Sequence, residues 1–114
     1  MRRIVLRDPR GGRFDVEVAV SWRERALGLL GRDALDPGTA LLLPHARSVH
    51  SFGMRFDITV VLLDRSYRVI DVRNLPPGRL VLPRRRVRHV LECAAGADLR
   101  EGDVLTEGAP SPAG

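Results

Sequence analysis

Ile58-Thr59-Val60-Val61-Leu62-Leu63 is the longest apolar run of the chain, and it decides the fold class. The run has the length of a strand, and only Thr59 interrupts its apolar character. A strand without a polar face is typical of the centre of a sheet that is covered on both sides. The sequence therefore predicts a buried central strand, around which the rest of the chain is arranged.

Further strands follow on both sides of this run. Asp64-Arg65-Ser66 is a turn signal, so residues 67–72 are predicted to return as the partner strand of a hairpin. Near the N-terminus, residues 4–6 and the alternating stretch 14–20 flank a turn with Pro9 and two glycines, which predicts a second hairpin. Shorter strands are predicted over residues 39–43, 80–82 and 87–91.

Two segments have helical patterns. Ser21 and Glu24 form a capping box, apolar residues then recur on one helical face, and Gly31 is suited to end the helix. This predicts an N-terminal helix over about 21–31, and residues 94–100 predict a short C-terminal helix. The expected fold is α+β, a mainly antiparallel sheet curled toward a barrel, with the first helix packed on it.

The 114 residues are enough for one domain, and 44% of them are hydrophobic. We expect a globular domain over residues 1–107 and a disordered tail over 108–114, where small residues and proline dominate. With Cys93 as the single cysteine no internal disulfide is possible, and no apolar run has the length of a membrane span. A soluble, cytoplasmic, bacterial protein without a membrane partner is the expectation.

The basic composition needs a cautious interpretation. The formal net charge is +5, and all 19 basic residues are arginine, as a GC-rich coding bias would produce. The densest run consists of Arg84, Arg85, Arg86 and Arg88, which are the nucleic-acid candidates because guanidinium groups pair with phosphates. No aromatic residues are interleaved to stack on bases, so a solvated loop is the competing interpretation.

No recognised catalytic or phosphate-binding motif occurs, and the spacing of His45, His50 and His89 matches no metal site. We therefore predict no cofactor and no metal. The irregular segment 44–56 is rich in chemically capable side chains, as functional loops often are. The ligand-binding candidates are Arg32, His50, Met54, Arg55 and Glu92.

Two residues near the last predicted strand carry specific expectations. Cys93 follows Val90-Leu91-Glu92 and is predicted to be a buried, unreactive thiol. Glu92 and Arg32 are both flanked by apolar residues, so we hypothesise a partly buried ion pair between them. If this pair forms, Glu92→Gln should destabilise the fold by roughly 3 kcal/mol, because it leaves the arginine uncompensated.

Four ordered segments resemble the domain of unknown function 192 family. Residues 24–32 resemble its helix signature, 38–43 its following strand, 49–56 a variant of its central segment, and 90–103 its closing Val-Leu-Glu and Gly-Asp motifs. The resemblance implies a compact, mainly β fold with a small helical part and implies no activity. The chain departs from the family pattern at three positions. Thr59 stands where an aspartate is usual, Asp57 stands where a proline is common, and Gly31 stands where the family usually has a bulky residue.

The function that these observations favour is a non-enzymatic module that binds a small ligand or a partner protein. One alternative is a small hydrolase-like enzyme that uses His50 with Glu92 or Asp57. Another is a nucleic-acid accessory protein that uses the arginine run. A pocket that brings His50 within hydrogen-bond distance of a carboxylate would favour the enzyme. A flat apolar patch would favour a protein partner, and a continuous stripe of arginines would favour a nucleic acid.

Overall fold

The computed structural model describes residues 2–21, 29 and 31–108, which form two β-sheets. In chain order the strands are β1 (Arg2–Arg7), β2 (Arg13–Val18), β3 (Thr39–Pro44), β4 (Val49–His50), β5 (Ile58–Leu63), β6 (Val69–Leu75), β7 (Leu80–Val81), β8 (His89–Ala94) and β9 (Thr106–Gly108). The strands β4 and β7 form a small two-stranded sheet, and the other seven form the large sheet.

The large sheet has the strand order β6-β5-β8-β3-β2-β1-β9. Its pairs are antiparallel except for β2 with β3. β5 lies between β6 and β8 and all of its residues are buried, which confirms the central strand that the apolar run predicted. The hairpins β1–β2 and β5–β6 are confirmed as well.

Several strand ends differ from the predicted ones. β3 includes Pro44, and β8 begins at His89 rather than two residues earlier. β6 begins at Val69, because the turn before it is longer than predicted. In that turn Tyr67 has a left-handed backbone with φ 61°, and the Asp64 carboxylate accepts hydrogen bonds from the main-chain N–H groups of Ser66 and Arg68.

The two faces of the large sheet carry different hydrophobic cores, since successive side chains of a strand point to opposite faces. Leu41 belongs to the first core and its strand neighbour Leu42 to the second core. The small sheet covers the first core with Val49 and Val81, which are partners in its register. Its other face is turned away from the large sheet.

The α+β prediction is wrong for the described part of the chain, where strands, turns and irregular segments occur without a helix. The predicted C-terminal helix over 94–100 does not form, because β8 continues to Ala94 through pairing with both β3 and β5. A turn at 95–96 follows, in which Gly96 has φ 83° and its N–H donates to Thr59 Oγ1 at 3.0 Å. Most of the predicted N-terminal helix over about 21–31 falls on 22–28 and 30, outside the described residues. The predicted tail over 108–114 also lies outside them from 109 onward, whereas Gly108 is the last residue of β9 and pairs with Val5.

The predicted barrel-like curl is also wrong, because the large sheet is open and ends at β6 and β9. Within residues 2–21, 29 and 31–108, short contacts link its two ends. The Val69 N–H donates to the Asp103 carbonyl at 2.7 Å, the Leu105 N–H donates to the Tyr67 carbonyl at 2.9 Å, and Arg68 forms an isolated bridge with Val104. These bonds hold the chain before β9 beside the start of β6 without a continuous ladder.

Candidate functional site

The exposed face of the small sheet carries an unusual concentration of apolar side chains. His50 is the register partner of Leu80, so the two side chains share this face, opposite the buried Val49 and Val81. Leu82 directly follows the end of β7 and is also exposed. Leu80 is 54% exposed and Leu82 is 67% exposed.

Phe52 extends this surface through the ring of His50. The two rings are stacked with their centroids 5.1 Å apart, and Phe52 is 53% exposed. The Phe52 N–H donates to His50 Nδ1 at 3.2 Å, which holds the imidazole against the phenyl ring. We call the surface formed by His50, Phe52, Leu80 and Leu82 the outer patch.

The arginine run begins two residues after Leu82, and its loop is braced by arginine side chains. The Arg47 guanidinium donates to the carbonyls of Arg84 and Arg85 at 3.3 and 3.2 Å. Arg88 donates to the carbonyls of Arg85 and Val87 at 2.7 and 3.0 Å. These guanidinium groups order the loop, and neither forms an ion pair with a carboxylate of a described residue.

The remaining arginines of the run differ in their partners. Arg84 Nη1 lies 3.0 Å from Asp71 Oδ2, and Arg73 holds the same carboxylate at 2.8 Å. Arg85 and Arg86 are exposed and make no side-chain hydrogen bond or ion pair to a described residue. The loop that follows Leu82 therefore carries exposed guanidinium groups, although Arg84 is paired with Asp71 and Arg86 interacts electrostatically with Asp64.

Glu92 lies in the middle of β8, an inner strand of the large sheet that begins directly after the arginine loop, and its side chain belongs to the sheet and not to the loop. Its register partners are Leu41 and Val60, both in the first core, and its side chain is only 5% exposed. Burial raises the pKa of Glu92 to about 7. Within the described residues its carboxyl group has no ion-pair partner.

The predicted Arg32–Glu92 ion pair is wrong. Arg32 Nη2 instead lies 3.4 Å from Glu17 Oε2, and both side chains are partly exposed. Glu17 on β2 pairs with Leu41 on β3, which pairs with Glu92 on β8, so one strand separates the two carboxylates. With about 4.8 Å between strands, they lie roughly 10 Å apart in the sheet.

The other ligand-binding candidates are not brought together. Met54 is buried in the first core, whereas Arg55 is exposed and its Nη1 lies 3.0 Å from Asp33 Oδ1. Met54 is a packing residue in this arrangement, and Arg55 belongs to a surface ion pair. The candidates of segment 44–56 thus point to different surroundings.

The histidines lack the partners that acid–base catalysis needs. His89 is buried, its Nδ1 accepts from the His45 N–H at 3.1 Å, and its ring stacks on Tyr67 at 4.7 Å. Burial lowers the pKa of His89, and His45 lowers it further. Among the described residues no hydrogen bond joins a histidine side chain to a carboxylate, and no group of three His, Cys, Asp or Glu residues could hold a metal ion.

Cys93 and Thr59 are partners on the second-core side of the large sheet. Cys93 is fully buried, as predicted, and burial together with the Glu92 carboxylate raises the pKa of its thiol to about 12. Thr59, at the position where an aspartate was expected, is also buried and accepts from the Gly96 N–H. Its oxygen therefore serves the turn after β8, a structural task that an aspartate oxygen could also perform.

The outer patch was missed by sequence reasoning, although a signal for it existed. The sequence predicts a strand over 80–82, and the alternation of a strand would put Leu80 and Leu82 on the face opposite Val81. In the structure β7 ends at Val81, which is buried, and both leucines are exposed. The stacking of Phe52 on His50 had no sequence signal, since it depends on the loop conformation after β4.

The described part of the chain contains no helix that is long and apolar enough to cross a membrane. Residues 4–106 match the model of the DUF192 family, which is described as Uncharacterized ACR. The UPF0127 protein PH1112 of Pyrococcus horikoshii is 35% identical over 85 residues, covering 72% of this chain and 74% of that protein. A UPF0127 protein of Thermococcus gammatolerans is 30% identical over 99 residues, covering 80% of this chain and 65% of that protein.

Two crystal structures are similar in fold. One is a Sinorhizobium meliloti 1021 protein suggested to be a transcription regulator, with a TM-score of 0.78, 23% identity and 92% of each chain covered. The other is a protein of unknown function from Novosphingobium aromaticivorans DSM 12444, with a TM-score of 0.77, 18% identity and 91% of this chain and 83% of that chain covered. At these identities the likeness concerns the fold alone. The sequence relatives are archaeal, so the expected bacterial origin is not confirmed.

Proposed function

The chain belongs to the DUF192 family, which has no assigned activity, and from this premise we propose that it is a protein-binding module that docks its partner on the outer patch. The observation that carries the proposal is the exposure of three large apolar side chains at the small sheet, Leu80 within it and Phe52 and Leu82 close to its strands in the chain. Scattered exposed apolar residues are ordinary, but a contiguous group marks an interaction surface.

The energetics favour a partner over open solvent. Fully burying a leucine or phenylalanine side chain stabilises a complex by about 1.5–3 kcal/mol relative to leaving it exposed. The stacked His50 and Phe52 rings add a flat surface whose position is already set by the Phe52 N–H bond, so docking orders little that is mobile.

Charge complementarity indicates what kind of segment the partner presents. Arg85 and Arg86 lie close in sequence to Leu82, and Arg47 and Arg88, which have no carboxylate partner within the described part of the chain, add positive charge to the same loop. In a segment that alternates apolar and acidic side chains, the apolar side chains pack on the outer patch and the acidic side chains pair with the arginines of the loop. A basic segment would be repelled.

The hydrolase-like alternative gains no support from the arrangement of its candidates. The His50 Nδ1 is occupied by the Phe52 N–H, and its ring is packed on phenylalanine rather than on an acid. Glu92 is buried in the large sheet, and Asp57 is exposed without a bond to a histidine.

The experiment that tests the proposal is NMR titration of the full chain with two short peptides. One alternates leucine and phenylalanine with aspartate and glutamate, and the second has lysine at the acidic positions. We expect saturable shift changes at His50, Phe52, Leu80 and Leu82 with the acidic peptide only. Leu80→Ser and Leu82→Ser should abolish them, and the control Val20→Ser, at another exposed apolar residue, should not.

Other results would overturn the proposal. Equal binding of both peptides, or shift changes away from the outer patch, would remove the docking role. Loss of the shift changes in Val20→Ser would also contradict it. Saturable binding of a single-stranded oligonucleotide by the Arg84–Arg88 loop, with no response to the acidic peptide, would favour the nucleic-acid alternative instead.

A further inference from the structure

A cleft of about 550 Å³ lies on the large sheet, away from the outer patch. β1, β2 and β3 contribute to it, and the segment over residues 32–36 forms a further part of its wall. Its apolar lining includes Val5, Leu35 and Leu41. The cleft shares no lining residue with the outer patch, so it is a separate feature of the molecule.

One end of the cleft has a surplus of positive charge. Arg3 and Glu17 are register partners on β1 and β2, so their side chains lie next to each other on the same face of the sheet. Glu17 is nevertheless held by Arg32, through a single contact of 3.4 Å. Arg3 makes no ion pair or hydrogen bond with its side chain to any described residue. Two guanidinium groups therefore accompany one carboxylate.

The other charged lining residues are placed differently. Arg13 pairs with Asp15 at 2.9 Å, and this pair is neutral. Asp36 lies near Asp15 rather than near Arg3. Its carbonyl accepts hydrogen bonds from Thr39, and Thr39 is the register partner of Asp15. Asp15 is two residues from Glu17, a separation of about 7 Å along a strand. The surplus at Arg3 and Arg32 is thus local.

We propose that this cleft binds a small organic carboxylate with an apolar body. The carboxylate is held by Arg3 and Arg32, since guanidinium groups match it with paired hydrogen bonds. The apolar body lies on Val5, Leu35 and Leu41. The single long contact of the partly exposed Arg32 to Glu17 leaves donors of this guanidinium available for the ligand.

Calorimetric and NMR titrations of the full chain with hexanoate and benzoate test the inference, with hexylamine and hexanol as matched probes. We expect saturable binding of the carboxylates, with shift changes at Val5, Leu35 and Leu41, and weaker or no binding of the other two. Arg3→Gln and Arg32→Gln should each weaken hexanoate binding by about tenfold, which is one charge-assisted interaction.

Arg2→Gln is the control, because Arg2 is the strand neighbour of Arg3 and its side chain points to the opposite face. It should leave hexanoate binding unchanged, and a thermal melt of each variant establishes that it is folded. No saturable binding of either carboxylate overturns the inference. So does equal binding of hexanol, or a loss in Arg2→Gln as large as in Arg3→Gln.

Discussion

Replacing Glu92 by glutamine tests what a buried carboxyl group without a cationic partner does to this fold. Glutamine keeps the size and shape of the side chain and removes its charge. Glu92 lies between Leu41 and Val60 in the large sheet, and burial raises its pKa to about 7. Above that pH the folded protein carries a carboxylate in apolar surroundings, which is unfavourable.

The sign and size of the effect follow from the two pKa values. In the unfolded chain the carboxyl group titrates near 4.5, so between pH 4.5 and about 7 the folded state holds a proton that the unfolded state has lost. The contribution of Glu92 to stability is therefore complete below pH 4.5 and is lost as the pH rises through 7. The difference between the two pKa values corresponds to about 3 kcal/mol.

We expect Glu92→Gln to have nearly the stability of the wild type at pH 4.5 and to exceed it by about 3 kcal/mol at pH 8.5. The assay is urea unfolding followed by circular dichroism, with the free energy of unfolding compared between variant and wild type at each pH. The comparison at equal pH cancels the titration of other groups. Glu17→Gln is the control, because Glu17 is partly exposed and held by Arg32, and it should not be stabilising at pH 8.5.

The opposite result at high pH would refute this reasoning. If Glu92→Gln destabilises the protein at pH 8.5 by roughly 3 kcal/mol, the carboxylate has a cationic partner, as the ion-pair hypothesis from the sequence required. An effect that does not change with pH would show that the carboxyl group titrates alike in the folded and unfolded states.

Three further predictions concern buried groups. Cys93 should react with a thiol reagent at pH 8 far more slowly than the unfolded chain does, because burial raises its pKa to about 12; equal rates would contradict this. His89 should weaken the fold as the pH falls below about 6.5, because its lowered pKa lets the unfolded state bind the proton first. This decline should be smaller in His89→Asn, whose amide oxygen can still accept the His45 N–H, and an identical decline would exclude His89 as its cause. Thr59→Val should lower the free energy of unfolding by about 1 kcal/mol, since the Gly96 N–H loses its acceptor, and urea unfolding with no change would contradict that role.

The candidate site could be predicted only in part. Segment 44–56 does carry His50 and Phe52, two members of the outer patch, and the arginine run does form an exposed loop. Leu80 and Leu82 were recognised as a strand but not as an exposed surface. Which face of this strand is covered by the large sheet depends on residues that are distant in sequence, so the sequence pattern alone does not reveal the exposed side.

The sequence by itself determined the central strand, the two hairpins and the family. An apolar run at Ile58–Leu63 has to be buried on both faces, and the turn residues before β2 and after β5 impose hairpins, because these preferences act over a few neighbouring residues. The four ordered segments were sufficient to recognise the family, whose match over residues 4–106 confirms the resemblance.

Only the tertiary structure decided which distant residues meet. β8 is inserted between β3 and β5, so Glu92 lies beside Leu41 and Val60 rather than beside Arg32. The same pairing extends β8 to Ala94, where the sequence pattern favoured a helix. Register and strand order arise from long-range packing, and a slip of one residue would turn every side chain of a strand to the other face. The partners of a charged residue within a sheet are therefore a property of the assembled fold.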